Sequence, residues 1–385
     1  DQKDFIDVES KKTGNIWIKG FAGSGKSVLL VHSLMDVLRK EPNAKVVIVV
    51  FTHALKDMFS TGLKELGASR SVPVKTYYEF VDKDYSSYDY IFCDEVQDLP
   101  SKVLAEMQSR GTKIIVAGDS NQSIYDSDPK WFKPVIQPTE VGELLNARAF
   151  QLNIIHRLTR SIINAVQKLQ PSMNIWGARR DQTRVDVNIR LGKASTEKEE
   201  VQFVYDEGKK GANINEASVV LLPKHSDILN FFTTLLSAKN KEPWKFKPNS
   251  YDVGKERDKQ RPDYYDLNQH LKSQDLDIQY IGNNQGSFQE ASTNKDVIVM
   301  TYHSSKGLDF ENVFLPFLNW DLYISKSNEE ALFMVALTRS KKNLYLTYSS
   351  DVHDYVDRFK NDCTEISISG NNTGNSAKTK ESFDF

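Results

Sequence analysis

The sequence predicts an α/β protein built from two successive, mostly parallel sheets, each covered by helices. Three observations carry that expectation. Short β-branched apolar runs alternate with helix-like stretches along most of the chain. The runs are apolar almost throughout, as strands buried on both faces require. A length of 385 residues fits two average domains better than one.

The first series reads IWIKG, a helix from Lys26 to about Arg39, KVVIVVF, a helix near Leu55 to Leu66, VPVKT, YDYIFCD and TKIIVAGD. After Pro134 the rhythm resumes with a helix from Thr159 to Leu169, VDVNIR, a charged helix from Thr196 to Lys209, ASVVLLP and a helix from Asp227 to Leu236. It closes with DIQYIG, KDVIVMTYH, NVFLPF, a helix over Glu329 to Arg339, and NLYLTYS. A linker near residues 134–150 separates the two series, which places the domains at 1–138 and 139–350. Residues 351–385 read as a largely disordered extension, because the terminal SISGNNTGNSAKTKESFDF is polar and rich in small residues. Residues 238–265 break the period, mixing eight basic residues with Trp244, Phe246, Tyr251, Tyr264 and Tyr265. A solvated surface insertion is favoured there over a nucleic-acid or partner contact.

Fifty lysines and arginines against 52 aspartates and glutamates leave a net charge of −2, so no global field recruits a polyanion. The two cysteines, Cys93 and Cys363, form neither a disulfide framework nor a zinc pattern, and a reducing, cytoplasmic setting is expected. No run of about eighteen apolar residues suggests a membrane span. The start at Asp1, hard against the first motif, points to a piece of something longer.

The run GFAGSGKS, residues 20–27, follows a predicted strand and opens a predicted helix, the context that a P-loop requires. Backbone amides of Gly20, Ala22, Gly23, Ser24 and Gly25 are placed to surround phosphate oxygens at a helix N-terminus. Lys26 would reach the β and γ phosphates, and the Ser27 hydroxyl would ligate magnesium. The bland alternative, a flexible glycine-rich turn, does not need that context. At the end of YDYIFCDEVQD, Asp94 and Glu95 leave the sheet at its carboxyl edge in Walker B fashion. Asp94 would hold Mg2+, and Glu95 would orient or deprotonate the water that attacks the γ phosphate. Cys93, just inside the strand, reads as a small core residue.

A P-loop and a Walker B strand state nucleotide hydrolysis and little more. The ordered series DEVQD, GDSNQSIYD, TYHSSKGLDF and VALTRSKKNLYL resembles the motifs of UvrD/Rep-like superfamily 1 helicases over most of residues 1–350. The resemblance implies two tandem RecA-like domains with ATP in the cleft between them. It implies that Gln2 reads the adenine edge, that Gln122 senses the γ phosphate, and that Arg157 and Arg339 act as arginine fingers from the second domain. Gly307 and Asp309 would lie near the ribose and phosphates, with aspartate where the family usually has glutamate. His156 stands where a tyrosine usually stacks on adenine, so base stacking is expected to be weaker. Ser127 stands where an aromatic usually stacks on a base, leaving Trp131 or Phe132 as substitutes.

Contacts to single-stranded nucleic acid are implied for Phe51, Thr52, Thr76, Tyr77, Thr301, His303 and Ser304, all at strand ends. Phe51 and Tyr77 fit equally well as core aromatics, and His303 as a structural histidine. The accessory domains inserted in UvrD-like enzymes have no room here, so movement along one strand is expected before processive unwinding. The expected function is an ATP-dependent translocase or helicase on single-stranded nucleic acid, DNA rather than RNA, with 3′-to-5′ polarity from the resemblance alone. The alternative is an ATPase switch that signals to a partner protein or a fused domain such as a nuclease. A small-molecule kinase, the third class, would give Arg339 no role.

Overall fold

The computed structural model describes residues 2–21, 23–119, 127–128, 130–137, 139–156, 158–171, 179–180, 185–256, 260–326 and 328–368. Two sheets organise them. The first contains β1 (Asn15–Gly20), β2 (Val46–Val50), β3 (Val74–Thr76), β4 (Tyr88–Cys93), β5 (Gly111–Gly118) and β6 (Ala147–Leu152), in the order β3-β2-β4-β5-β1-β6. A two-stranded pair, β7 (Ile154–Ile155) and β8 (Arg179–Arg180), follows. The second sheet contains β9 (Asn188–Lys193), β10 (Ser218–Leu222), β11 (Ile278–Tyr280), β12 (Val297–Thr301), β13 (Phe310–Leu315), β14 (Ser340–Tyr348) and β15 (Thr364–Ser367), in the order β11-β12-β10-β13-β14-β9-β15.

All pairings within both sheets are parallel. Every strand of a sheet therefore ends at the same edge, which is where loops from distant parts of the sequence meet. In β2, Val46, Ile48 and Val50 face a core shared with the helices Lys26–Lys40 and His53–Glu65, while Val47 and Val49 face Val103, Leu104 and Met107 of the helix Ser101–Arg110. That two-sided burial explains the unbroken apolar runs.

Two segments depart from the sequence expectation. The strand β6 lies in the expected linker and beyond the expected boundary at 138/139, yet it pairs with β1 from Asn15↔Ala147 to Gly20↔Leu152 and completes the first lobe. It is an edge strand with mostly part-exposed side chains, so it lacks the apolar run that marks buried strands. The second departure lies within the extension that starts at residue 351. The short helix Asp354–Asp357 buries Val356, and β15 joins β9 at the far edge of the second sheet. The residues from 369 onward lie outside the described ones.

The 238–265 segment is a loop cinched on one carboxylate. Arg261 Nε and Lys255 Nζ donate to Asp252 at 2.7 and 2.6 Å, and the backbone amides of Asn249 and Asp263 bond across to Arg261 and Lys247. Lys239 and Lys247 pair with Asp206 and Asp266. Four of its six described basic residues are thus committed to local acids. Tyr264 begins a helix, Tyr264–Ser273, and stacks on Tyr280 with ring centroids 3.6 Å apart. Among the described residues, no helix is long and apolar enough to cross a membrane.

Candidate functional site

The chain leaves β1 at Gly20 and enters the helix at Lys26 through a tight loop. Gly25 caps that helix with φ +91°, a left-handed conformation that side chains resist. Space imposes the same choice, since a β-carbon on Gly25 would lie 2.2 Å from Gln2 Nε2. Gln2 itself donates through Nε2 to the Ser24 carbonyl at 2.9 Å, which fixes the N-terminal helix Gln2–Asp7 against the loop. Lys26 folds back over the loop, donating to the carbonyls of Gly20 (2.9 Å) and Phe21 (3.0 Å). A buried ammonium held by carbonyls inside a nest of backbone amides is poised to exchange them for phosphate oxygens.

The Ser27 hydroxyl donates to Asp94 Oδ2 at 2.5 Å, bringing the loop and the end of β4 together. Two hard oxygen ligands, one of them a carboxylate, suit Mg2+, which takes one or two protein carboxylates and completes its shell with water and phosphate. Asp94 is fully buried, and burial together with the adjacent Glu95 charge pushes its pKa up, against the pull of Ser27 and Lys26. Burial works the same way on Glu95, but the charges of Lys306 and Lys26, the Gln97 hydrogen bond and Arg339 prevail and hold its carboxyl below the ordinary range. Glu95 therefore holds its negative charge the more firmly of the two. Its backbone is left-handed (φ 54°), a strained conformation for a glutamate that concentrates at functional sites. Gln97 holds it in place, donating from Nε2 to Glu95 Oε2 at 2.5 Å while its Oε1 accepts from the Asp119 amide at the end of β5.

The second lobe meets this surface through the start of β13 and the end of the helix Glu329–Leu337. Arg339 is 1% exposed, and its guanidinium donates to the carbonyls of Val335 (2.7 Å) and Leu308 (3.0 Å) and to the Thr338 hydroxyl (2.8 Å). Three fixed acceptors orient the charge before any ligand arrives. Gly307, at φ +81°, brings the backbone against the first lobe, where a β-carbon would sit 2.8 Å from Leu55 Cδ2 and 3.4 Å from Glu95 Oε1.

An open cleft of about 660 Å³ lies between the lobes. Gln2, Gly23, Gly25, Lys26, Ser27 and Glu95 line it from the first lobe, and Gly307, Asp309 and Arg339 from the second. His156 lines it as well, and its amide donates to the Gly23 carbonyl at 2.8 Å. Ala22, Gln122 and Arg157 lie outside the described residues. Sequence reasoning assigned no role to Gln97, Asp98 or Lys306, although all three fall inside the quoted motifs. The available signal was their polarity at positions buried in the structure, where Lys306 bridges to Asp98 of the other lobe.

The residues expected to grip a strand divide in two. Phe51 and Tyr77, both implied as strand contacts, are 6% and 2% exposed and lie against each other at 5.2 Å and 15°, and Tyr77 also meets Trp131 edge-on. In this structure the two rings pack into the protein, as core aromatics do. Thr52 and Thr76 cap the helices His53–Glu65 and Tyr77–Asp82, and Thr76 is fully buried in a capping box with Glu79. Thr301 and Ser304 share a hydroxyl hydrogen bond of 2.9 Å at the end of β12. Burial, aided by Lys306 and His225, pushes the His303 pKa down to about 4, so its imidazole is neutral near pH 7. At the same edge a polar cavity of about 190 Å³ spans the lobes, lined by His53, Lys56 and Ser60 on one side and Gly282, Asn284 and Gln285 on the other.

The chain has recognisable relatives. Residues 2–128 match the family model described as an AAA domain, and residues 251–351 that of the UvrD-like helicase C-terminal domain. No curated protein matches the chain. Among solved structures, the helicase of PRRSV is 16% identical with a TM-score of 0.43, covering 87% of this chain and 52% of that one. An Arterivirus nonstructural protein 10 helicase in complex with DNA is 15% identical with a TM-score of 0.42, covering 92% and 65%. A further crystal structure of an Arterivirus nonstructural protein 10 helicase is 16% identical with a TM-score of 0.40, covering 92% and 63%. The chain thus spans between about half and two thirds of the length of these proteins.

Proposed function

The chain belongs to the UvrD/Rep-like superfamily 1 helicases, and from that premise we propose that it is an ATP-hydrolysing motor that moves along single-stranded nucleic acid. One observation carries the reading: a single cavity is walled by Lys26, Ser27 and Glu95 from one lobe and by Gly307, Asp309 and Arg339 from the other. Hydrolysis completed across a cleft is coupled to closure of that cleft. We place the division between the lobes after Leu152, the last residue of the first sheet.

In this mechanism Lys26 exchanges the carbonyls of Gly20 and Phe21 for the β and γ phosphates of the substrate. Ser27 and Asp94 would hold Mg2+, which would supply charge neutralisation at those phosphates. Glu95, ionised and held by Gln97, accepts a proton from the attacking water. Arg339 stabilises the charge that develops on the transferred phosphoryl group, in the role that Arg157 and Gln122 would share. His156 and Gln2 border the space for the base, and Asp309 that for the ribose and phosphates.

The segment from Thr301 to Asp309 supports coupling to a strand. It begins at the carboxyl edge with Thr301, His303 and Ser304, passes through Lys306, and ends in the nucleotide cavity with Gly307 and Asp309. A strand that pulls on the first half moves the second. DNA rather than RNA as substrate, and movement from 3′ to 5′, rest on family membership alone. A cytoplasmic setting rests on Cys93 and Cys363 both being free thiols.

The test is ATP hydrolysis with and without single-stranded DNA or RNA, followed by displacement of a label from the strand end. Stimulation by one polymer and directional displacement are expected. No stimulation by either sinks the motor reading, whereas stimulation without displacement favours the ATPase switch.

A further inference from the structure

We propose that the loop leaving β13 is a base-stacking platform for the strand, built on Trp320 and Tyr323 and flanked by Lys224. The inference rests on the single-strand reading above and assigns it a contact outside the expected set. Trp320 is 67% exposed and Tyr323 51% exposed, while most large apolar side chains of this lobe are buried. Two aromatics three residues apart, open to solvent on a soluble lobe, mark a contact surface.

Position identifies the occupant. The sheet is parallel, so the exits of β12, β10 and β13 lie side by side on one edge. β12 delivers His303 and Ser304, β10 delivers Lys224, and β13 delivers Trp320 and Tyr323. Neighbouring strands are about 4.8 Å apart, so the β13 strand from which this loop departs stands roughly 10 Å from β12 along the same edge. Lys224 Nζ lies 5.0 Å from the Tyr323 ring centroid, placing a cation beside an aromatic face. Lys326, also exposed, follows within the same loop. The exposed Asp321 sits between the two rings, and the cations Lys224 and Lys326 flank them; aromatic faces with cations beside them are what a polyanion bearing stackable bases requires.

Construction of the loop separates it from an ordinary exposed turn. Phe317 takes φ 62°, and the buried Glu200 carboxylate pins it, accepting from its amide and from the Thr347 hydroxyl at 2.7 Å each. The Asn319 carbonyl oxygen of the side chain accepts from the amides of Ser349 (2.9 Å) and Ser350 (3.0 Å), and the Trp320 amide donates to the Asp351 carbonyl at 2.8 Å. The backbone under the indole is therefore tied to the exit of β14. A rigid support leaves little ordering cost for binding, as a stacking contact needs.

The experiment measures affinity for a fluorescein-labelled single-stranded oligonucleotide by anisotropy, in wild type, Trp320→Ala, Trp320→Phe and Lys224→Ala. Tyr85→Ala, an exposed aromatic before β4 at the opposite edge of the first sheet, is the control. Trp320→Ala is expected to weaken binding about tenfold, Trp320→Phe to restore most of it, and Tyr85→Ala to change nothing. Lys224→Ala is expected to flatten the dependence of log affinity on log salt by roughly one unit, while Trp320→Ala leaves that slope unchanged. Equal affinity of wild type and Trp320→Ala for an oligonucleotide that both bind overturns the platform and leaves the motor reading standing. Absence of binding by wild type overturns the reading on which the platform rests.

Discussion

Lys306 of the second lobe places its ammonium 2.5 Å from the Asp98 carboxylate of the first, with the two side chains 2% and 0% exposed. The same nitrogen lies 3.9 Å from Glu95 Oε2, so one buried cation joins the lobes and faces the catalytic carboxylate. Removing it strands a negative charge away from water, which costs about 3–5 kcal/mol in comparable buried pairs. Lys306→Met is expected to lower the thermal unfolding midpoint, and Lys306→Met combined with Asp98→Asn to recover part of the loss. Calorimetry on the single and double variants checks this, and strictly additive losses would show that the two residues do not interact.

Glu95 combines ionisation, burial and a strained backbone at the point where an attacking water would lie. Glu95→Gln keeps the shape and loses the base. ATP turnover should fall by about 10²–10⁴-fold with nucleotide affinity retained. Pre-steady-state hydrolysis and binding of a fluorescent ATP analogue separate the two effects.

Arg339 is already oriented by Val335, Leu308 and Thr338. Lysine keeps the charge but cannot satisfy three acceptors in that geometry. Arg339→Lys and Arg339→Ala are therefore both expected to lose turnover, the alanine variant by about 10³-fold or more. Single-turnover rates decide it; full activity in Arg339→Ala would return the small-molecule kinase to consideration.

Glu200 supplies a pH effect remote from the nucleotide. Burial raises its pKa to about 7, despite hydrogen bonds from Phe317, Thr347 and Ser349. Between the ordinary carboxylate range and pH 7 the folded state keeps a proton that the unfolded chain has released, so this group's contribution to stability falls as pH rises through that window. Glu200→Gln should remove that slope, a difference on the order of 2–3 kcal/mol between pH 4 and pH 8. Urea unfolding of both proteins across that range measures it, and parallel curves would exclude the effect.

Much of the nucleotide site was legible in the sequence because its parts are local. A P-loop is a strand, a turn and a helix start, so Gly20, Gly25, Lys26 and Ser27 carry their geometry in their spacing. Asp94 and Glu95 announce themselves by following an apolar strand. The edge strand β6 left no such mark, because pairing on one side only does not demand an apolar run. Phe51 and Tyr77 were open in the sequence, which cannot tell a ring that stacks on a neighbouring ring from one that waits for a base.

By itself, the sequence determined the two parallel sheets, the motif order and the first-lobe half of the phosphate site, since each follows from periodicity or short-range chemistry. Only the tertiary structure decided that Arg339, Gly307 and Asp309 share a cavity with Lys26, and that Lys306 closes on Asp98. It also set Trp320 and Tyr323 on the edge that carries His303. The cavity and the Lys306–Asp98 pair join residues some two to three hundred positions apart, and the parallel packing of strands brings them together through contacts that no local pattern encodes.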